Sequence, residues 1–302
     1  MTVIIAFVAN LLVATAKTVV AVITGSASMM AEAAHSWADA GNEIFLLVAD
    51  RRSARPKDDR HPLGHGREAY VWSMFAAVGI FTAGAVFSVM HGIQELTNPE
   101  PVESPGLAFI VLGIAFLLEG ASFTQAVVQA RRQAREADTS VIRLVLYTSN
   151  TTLRAVVAED FAALIGLIVA AGGIYVHLVT GNAVWDAAGS IVIGVLLGVV
   201  ALVLIDRNRH FLIGASSTPE IRTRVGRDLL GHAEISRVTY LHLEYIGPGR
   251  LFLVAEVDLV GDDPEEEVAR QMRRIERELE GHDAIETAVL SLSVSDEASL
   301  EF

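Results

Sequence analysis

The chain has 302 residues, which is enough for one membrane domain and one small additional domain. Its hydrophobic fraction of 52% and mean hydropathy of +0.45 exceed those of a typical soluble globular protein. The net charge of −13 argues against a nucleic-acid partner, and the absence of cysteine excludes disulfides and thiolate metal sites, so a bound metal would need histidine, carboxylate, carbonyl or water ligands.

The first two thirds of the chain contain long apolar segments. A helix needs about 20 mostly apolar residues to cross the hydrocarbon core of a bilayer. Six segments meet this requirement, at roughly 3–23, 28–50, 69–93, 106–130, 154–178 and 185–205. The first lacks the basic start and cleavage site of a signal peptide, so we expect a retained helix. These segments predict a transmembrane domain of six helices over residues 1–208.

Basic residues are concentrated in alternate connections between these segments. Six lie in 51–68, four in 131–153, and Arg207 and Arg209 follow the last segment. The connections without Lys or Arg are 25–27, the acidic 95–105 (Glu95, Glu100 and Glu103) and 179–184. The positive-inside rule therefore predicts a multi-pass protein of the cell membrane with both termini in the cytoplasm.

The sequence pattern of residues 209–302 predicts a cytoplasmic α+β domain with the element order αββαβ and a ferredoxin-like fold. The predicted elements are a helix at 219–230, strands at 238–245 and 251–259, a helix at 262–280 and a strand at 284–294. Thr218 and Gly231 are suitable cap and stop residues for the first helix. The two alternating runs on either side of Gly247-Pro248-Gly249 indicate a β-hairpin.

The second predicted span contains ionisable residues at membrane depth. His35 and Asp39 are four residues apart and share one helix face, and Glu32 and Asn42 fall near the same stripe. Burying such a group in a bilayer costs at least about 2.5–3.5 kcal/mol, so it usually faces a cavity and serves a function. Imidazole and carboxylate together suit zinc and similar ions. The alternative is an interhelical pair with only a packing role.

The fifth predicted span contains two adjacent acids, Glu159 and Asp160. They would complete a metal site with His35 and Asp39 if the second and fifth helices pack together. Neighbouring helical residues point about 100° apart, so both acids need not bind one ion. We expect Asp160 to be a ligand and Glu159 to be a second ligand or a proton acceptor. Alternatively, the pair marks a helix end at the membrane interface, since the span starts near Arg154.

Two further groups of residues offer ligands. Asp58, His61 and His65 lie in the basic loop after the second span, and their spacings of three and four residues fit a metal site, with a solvated loop cluster as the alternative. Glu119 lies alone midway along the fourth span, where it is either a proton-coupling group or a helix–helix hydrogen bond. We expect the C-terminal histidines to be ordinary surface or core residues; they are His232, His242 and His282.

Two long motifs carry a family resemblance. They are Gly25–Asp39, with the sequence GSASMMAEAAHSWAD, and Asp59–Glu68, with the sequence DRHPLGHGRE. Together with six predicted spans and a C-terminal α+β domain, they make the chain resemble the cation diffusion facilitator family of metal/proton antiporters over nearly its whole length. The resemblance implies export of a divalent transition-metal cation, Zn²⁺ before others, in exchange for protons and without a cofactor.

The resemblance also implies a homodimer that pairs through its cytoplasmic domains, a transport site between the second and fifth helices, and a second metal site in the loop after helix two. The residues that match the transport site are His35, Asp39 and Asp160, and those that map onto the second site are Asp58, His61 and His65. His35, Glu32 and Glu119 are candidates for proton coupling, and Asn42 is a secondary candidate ligand.

The chain departs from the family pattern at two places. Val156 stands where the family commonly has His or Asp four residues before the fifth-helix acid, and we expect Glu159 to substitute for it. The C-terminal domain lacks the family's clustered histidines, although Glu256 falls at one such position. We therefore expect no binuclear metal site in that domain.

The function that follows is an antiporter working by alternating access. Ligation requires neutral imidazole and ionised carboxylates, so metal binding displaces protons, and histidine titrates in a suitable range. Mn²⁺, Fe²⁺ and Co²⁺ stay open as substrates. A membrane-anchored metal sensor or scaffold without flux is the alternative from another class. An enzyme is not expected, because the sequence shows no nucleophile–base pairing and no Gly-rich phosphate loop.

Overall fold

The computed structural model describes residues 2–99, 102–136, 139–294 and 296–302. These residues form two compact units. The first comprises Met1–Asp50 and Val71–Arg209, and the second comprises Arg51–Tyr70 and His210–Phe302. The domain boundary between residues 208 and 209 stays a prediction. The structure adds that the segment after the second helix belongs to the same compact unit as the C-terminal residues.

The first unit is built from helices. In chain order the elements that form or border it are α1 (Thr2–Thr24), α2 (Ala27–Ser53), α3 (Glu68–Gly79), a π-helical segment (Ile80–Val86), α4 (Phe87–Thr97), α5 (Pro105–Glu136), α6 (Val141–Tyr147), α7 (Thr151–Thr180) and α8 (Val184–Leu212). Each apolar segment predicted from the sequence falls inside one of these helices, and α3, the π-helical segment and α4 together contain the third.

Within the described residues, four helical segments are long and apolar enough to cross a membrane. They are Glu68–Thr97, Pro105–Glu136, Thr151–Thr180 and Val184–Leu212. The apolar part described for α1, Asn10–Thr24, is shorter. Helix α2 is less apolar because it carries acidic residues along its length, including Glu32, Asp39 and Glu43. The chain is thus a helical membrane protein with a small C-terminal sheet domain.

Two connections differ from those predicted. Residues 131–153 are partly helical, because α5 continues to Glu136 and α6 follows, with the Ser140 hydroxyl accepting a hydrogen bond from the N–H of Arg143. In the acidic connection at 95–105, α4 extends to Thr97, and Glu100 lies outside the described residues. Hydropathy does not reveal such extensions, since helix ends depend on local capping and not on apolar periodicity.

The turn between α1 and α2 explains the residue types at the start of the first motif. Gly25 has φ 65°, a left-handed conformation that glycine adopts without steric cost. The Ser26 hydroxyl accepts a hydrogen bond from the N–H of Met29 at 3.2 Å, as a helix N-cap does. Asp186 of α8 accepts bonds from the N–H of Ala27 at 2.7 Å and from the Ser26 hydroxyl at 3.0 Å. The first turn of α2 is therefore fixed to α8.

Small residues let the helices of the first unit approach closely. A Cβ atom on Gly92 of α4 would lie 2.8 Å from the carbonyl oxygen of Ala187 on α8. A Cβ atom on Gly194 of α8 would lie 2.8 Å from the carbonyl oxygen of Ala85. The third and last long segments thus touch backbone to backbone, a contact typical of helices in membranes.

The second unit contains the α+β domain, in the predicted order αββαβ. Its elements are α9 (Pro219–Leu230), β1 (Ile235–Gly247), β2 (Arg250–Leu259), α10 (Glu265–Glu280) and β3 (Ile285–Leu292). Strands β1 and β2 pair antiparallel, β2 and β3 pair parallel, and β2 lies in the middle. Alternate residues of the strands form one core with α9 and α10, so both helices cover the same face. Gly249, with φ 69°, permits the tight turn between β1 and β2.

Candidate metal sites

Acidic side chains from three helices surround a cavity in the first unit. The cavity has a volume of about 160 Å³, enough for a cation with several waters. Its acidic lining consists of Asp39 and Glu43 of α2, Glu119 of α5, and Glu159 and Asp160 of α7. The other lining residues are Asn10, Val13, Ser36, Leu46, Leu118, Ser122 and Val156. Asp39, Glu159 and Asp160, which the sequence analysis expected to form one site, therefore line the same cavity as Glu119, which it treated alone.

Neutral amides and hydroxyls hold some of these carboxylates in position. The Asn42 amide donates to Glu159 at 2.5 Å, and the Ser122 hydroxyl donates to Asp160 at 2.7 Å. These two contacts connect α2 to α7 and α5 to α7. Because none of these donors is charged, they orient the carboxyl groups without supplying a counter-charge.

Other polar atoms at the cavity lack a hydrogen bond within the residues that the structure describes. In the described part of the chain, Asp39 Oδ1, Glu43 Oε2 and Ser36 Oγ are buried without a hydrogen bond. Ser36 is 4% exposed and lines the cavity. Leaving a buried polar atom unsatisfied costs about 1–3 kcal/mol, more for a charged group. A cation coordinated here would satisfy these oxygens.

His35 lies beside the cavity and is not among the described lining residues. Its Nδ1 is 3.4 Å from Oδ1 of Asp39, without the geometry of a hydrogen bond. The ring is 1% exposed, and within the described residues neither nitrogen has a hydrogen-bond partner. An imidazole with two available nitrogens thus lies one helical turn from a lining carboxylate.

The remaining predicted residue of this stripe, Glu32, is separated from the cavity lining. It pairs with Lys17 of α1 at 3.0 Å, and both side chains are 0% exposed. Sequence reasoning missed Lys17, because one lysine within an apolar run does not indicate its partner.

Several polar residues at the cavity were also missed, among them Glu43, Asn10 and Ser122. Glu43 follows Asp39 by four residues and extends the stripe of His35 and Asp39, so helical spacing was a signal that could have identified it. Asn10 of α1, which donates to Glu43 at 2.6 Å, and Ser122 carried no such signal. They are uncharged residues within predicted spans, and their position depends on tertiary packing.

The second cluster, Asp58, His61 and His65, lies in the second unit. Asp58 Oδ1 is 3.0 Å from Nδ1 of His61, and Asp58 Oδ2 is 3.0 Å from Nε2 of His65. Among the residues that the structure describes, this is the group of three whose ligand atoms all lie within 4.8 Å of one another. The cavity acids of the first unit do not converge to that degree. The side chain of His65 is 3% exposed, whereas those of Asp58 and His61 are 44% and 50% exposed.

The glycines of the second motif shape this cluster. Gly64 has φ 79°, which a residue with a side chain rarely adopts. A Cβ atom on Gly66 would lie 2.4 Å from the carbonyl oxygen of Ile246 on β1, so the loop contacts the strand directly. Arg67 reinforces this contact through an ion pair with Glu244. The motif is therefore bound to the C-terminal sheet.

Hydrogen bonds make Asp58 a stable anion. The bonds from His65 and His61, followed by those from the main chain, hold the pKa of Asp58 well below its usual range. A carboxylate that is already ionised needs to lose no proton when it binds a cation.

The C-terminal histidines contact residues of their own unit. His232 is 3.6 Å from Glu278, and His242 is 3.6 Å from Glu244. His282 accepts a main-chain hydrogen bond from Ile285 just after α10.

Comparison with known proteins gives consistent matches to cation transporters. A family model described as the cation efflux transmembrane domain matches residues 3–212. Metal tolerance protein C4 of Arabidopsis thaliana is 37% identical over 233 residues, which are 77% of this chain and 51% of that protein. The human proton-coupled zinc antiporter SLC30A9, mitochondrial, is 35% identical over 238 residues, which are 79% of this chain and 42% of that protein.

A shorter match joins the chain to a bacterial protein. The cation-efflux pump FieF of Escherichia coli O1:K1 / APEC is 36% identical over 95 residues, which are 31% of each chain. The chain spans about half the length, or less, of these three relatives.

Proposed function

Because this chain belongs to the cation efflux family, that is, the cation diffusion facilitators, we propose that it exports divalent transition-metal cations, Zn²⁺ before others, in exchange for protons. Family membership makes it a transport protein and not an enzyme. The choice of Zn²⁺ and of proton exchange is supported by the name of the human relative, which is a proton-coupled zinc antiporter.

The observation that carries the proposal is the acidic cavity among apolar helices. Five carboxylates line it, and the donors that contact them are neutral. Such an arrangement is costly for a protein that only needs to fold, since buried acids are normally paired or hydrogen-bonded in full. It is favourable for one that binds a cation and releases it.

We assign the transport site to Asp39, Glu159 and Asp160, with His35 as the nitrogen ligand beside them. Val156, which also lines the cavity, has no ligand atom, and Glu159 supplies the missing donor from the same helix. Ligands must lose their protons to bind metal, so metal entry from one side expels protons and proton entry from the other side expels metal. Alternating access of the cavity to the two sides then yields exchange.

For the topology we propose six spans, with α1 and α2 added to the four long apolar segments. The alternation of basic and non-basic connections supports cytoplasmic termini, and we place the protein in the cell membrane. The mitochondrial location in the name of the human relative is a property of that protein.

We further propose that the C-terminal domain is ferredoxin-like and joins two copies of the chain in a homodimer.

We propose that Asp58, His61 and His65 form a second metal site. Their ligand atoms are close enough to hold one ion, and imidazole with carboxylate suits zinc. The attachment of this loop to β1 favours one alternative function, a membrane-anchored sensor or scaffold that binds metal without flux. Mn²⁺, Fe²⁺ and Co²⁺ remain alternative substrates, because oxygen ligands accept them as well.

The test is transport by the purified full chain in liposomes with an acidic lumen. We expect Zn²⁺ to enter as protons leave, and uptake to stop when an ionophore abolishes the pH gradient. Liposomes without protein are the control, and Mn²⁺, Fe²⁺ and Co²⁺ are compared under the same conditions. Metal binding without uptake of any of these ions would support the sensor instead. Zn²⁺ uptake that does not depend on the pH gradient would contradict proton exchange.

A further inference from the structure

A lysine is enclosed within the first unit beside the proposed metal ligands. The chain has two lysines, Lys17 and Lys57. Lys57 is 39% exposed, whereas Lys17 is 0% exposed and pairs at 3.0 Å with Glu32, which is also 0% exposed. The pair joins α1 to α2.

Stability alone does not account for this pair. An ion pair removed from water usually gains little over apolar residues of the same volume, because desolvation offsets the attraction. The second oxygen of Glu32 also has no hydrogen bond among the described residues. It faces Gly166 of α7, where a Cβ atom would approach it to 2.3 Å. The absence of a side chain at Gly166 thus leaves space for Glu32, although Oε1 of this carboxylate has no hydrogen bond among the described residues.

The position of the pair links it to the transport site. Glu32 precedes His35 by three residues, so the two lie on neighbouring positions of the same helix face. The carboxylate that holds the Lys17 ammonium group, at 3.0 Å, is thus about one helical turn from His35 and two turns from Asp39, close enough for electrostatic interactions with both. In a medium of low dielectric constant such interactions extend further than they do in water. The positive charge of Lys17 therefore lies at the turn of α2 that precedes the proposed ligand His35.

We infer that Lys17, held by Glu32, is a positioning residue that sets the affinity of the transport site. Its charge reduces the attraction of His35 and Asp39 for a divalent cation, so that the ion is released instead of trapped among five carboxylates. This inference rests on the proposed transport function. It assigns to Glu32 the role of holding Lys17, in place of the proton coupling expected from the sequence.

The experiment compares KM and kcat for Zn²⁺ in the liposome assay. Lys17→Gln leaves the charge of Glu32 uncompensated, and we expect a several-fold lower KM and a lower kcat, since tighter binding slows release. Glu32→Gln leaves the ammonium group uncompensated, and we expect a several-fold higher KM. The double variant Lys17→Gln/Glu32→Gln should return KM towards the wild-type value, and Lys17→Arg, which keeps the charge, should preserve it.

Opposite shifts of KM in the two single variants distinguish this role from a structural one. A merely structural pair would lower the yield of folded protein for both variants and leave KM of the folded fraction unchanged, and that result would overturn the inference. If Lys17→Gln does not fold, Glu32→Gln alone tests the inference, because an unchanged or lower KM for this variant would contradict it. If the wild-type chain moves no metal, the proposed function fails separately, and the same opposite shifts are sought in Zn²⁺ dissociation constants of the purified variants.

Discussion

The carboxylates of the two units have opposite surroundings. In the first unit, Asp39, Glu159 and Asp160 line the cavity, and Asp39 Oδ1 has no hydrogen bond among the described residues. In the second unit, Asp58 is 44% exposed, and its two oxygens contact His61 and His65 at 3.0 Å each. The carboxylates are thus left partly unsatisfied in the first unit, whereas in the second unit the protein satisfies the oxygens of Asp58.

This difference indicates different uses. Unsatisfied buried acids destabilise the fold unless a cation or a proton joins them, so a bound ion changes their energy strongly. An exposed cluster that already makes its own hydrogen bonds gains less from an ion, because water and the histidines compete for the same carboxylate. We therefore expect the cavity to be essential for transport and the exposed cluster to modify it.

The largest effect is expected from Asp160→Asn, which keeps the shape of the side chain and removes its charge. Losing a residue that merely supports a metal ligand costs about 10–100-fold, so losing a proposed ligand should reduce Zn²⁺ uptake by at least that factor. The matched control is Asp206→Asn, since Asp206 is 58% exposed and pairs with Arg209. Full uptake by Asp160→Asn would remove the cavity from the transport mechanism.

The second effect tests how tightly the first unit is packed around its charges. In Gly166→Ala the new Cβ would lie 2.3 Å from Oε1 of Glu32. Overpacking of this kind costs about 1–3 kcal/mol, so the melting temperature in detergent should fall. The control is Gly172→Ala on the same helix, where the new Cβ would have nothing within 4 Å, and its melting temperature should not fall. Equal melting temperatures for the two variants would mean that the surroundings of Glu32 are loose.

A smaller effect is expected from Asp58→Ala in the exposed cluster. We expect the purified protein to bind one Zn²⁺ fewer, while Zn²⁺ uptake falls only a few-fold, because the cavity acids remain intact. Asp59→Ala is the control, as Asp59 is exposed and adjacent but outside the cluster. Complete loss of uptake in Asp58→Ala, with Asp59→Ala unaffected, would show that the exposed site is as essential as the cavity.

Sequence reasoning predicted the elements that depend on local pattern. The long helices and the αββαβ order follow from apolar runs, alternation and turn residues, which are properties of neighbouring positions. The helix at 219–230 has the same ends in the structure, since Pro219 and Gly231 mark them. The π-helical segment Ile80–Val86 was not predicted, because its hydrogen-bond shift leaves the apolar composition unchanged.

Residue spacing alone predicted the site only within single helices, and the expectation that the second and fifth helices share a site came from the family resemblance. The spacing of His35 and Asp39 placed both on one face, and the structure keeps them within 3.4 Å of each other. That Glu119 of α5 shares a cavity with Asp160 of α7 depends on which helices are neighbours, and one sequence does not encode this in any local pattern. The partner of Lys17 was missed for the same reason. The metal-ligand roles themselves stay predictions.

The smallest effect is expected from Asp258, a partly exposed acid of the second unit that the protein itself satisfies. Arg237 lies 2.8 Å from Asp258, and the Ser236 hydroxyl donates to the same oxygen at 3.0 Å. The bonds from Arg237, followed by that from Ser236, lower the pKa of Asp258.

Because the pKa of Asp258 is lower in the folded state, the stabilisation is present above the unfolded pKa of about 3.9 and is lost as the pH falls through the folded pKa. Asp258→Asn should therefore melt slightly below wild type at neutral pH, and the difference should disappear in acid. Asp262→Asn, which changes an exposed acid before α10, is the control and should melt like wild type at neutral pH. A difference between Asp258→Asn and wild type that persists in acid would mean that the carboxylate contributes through packing and not through its charge.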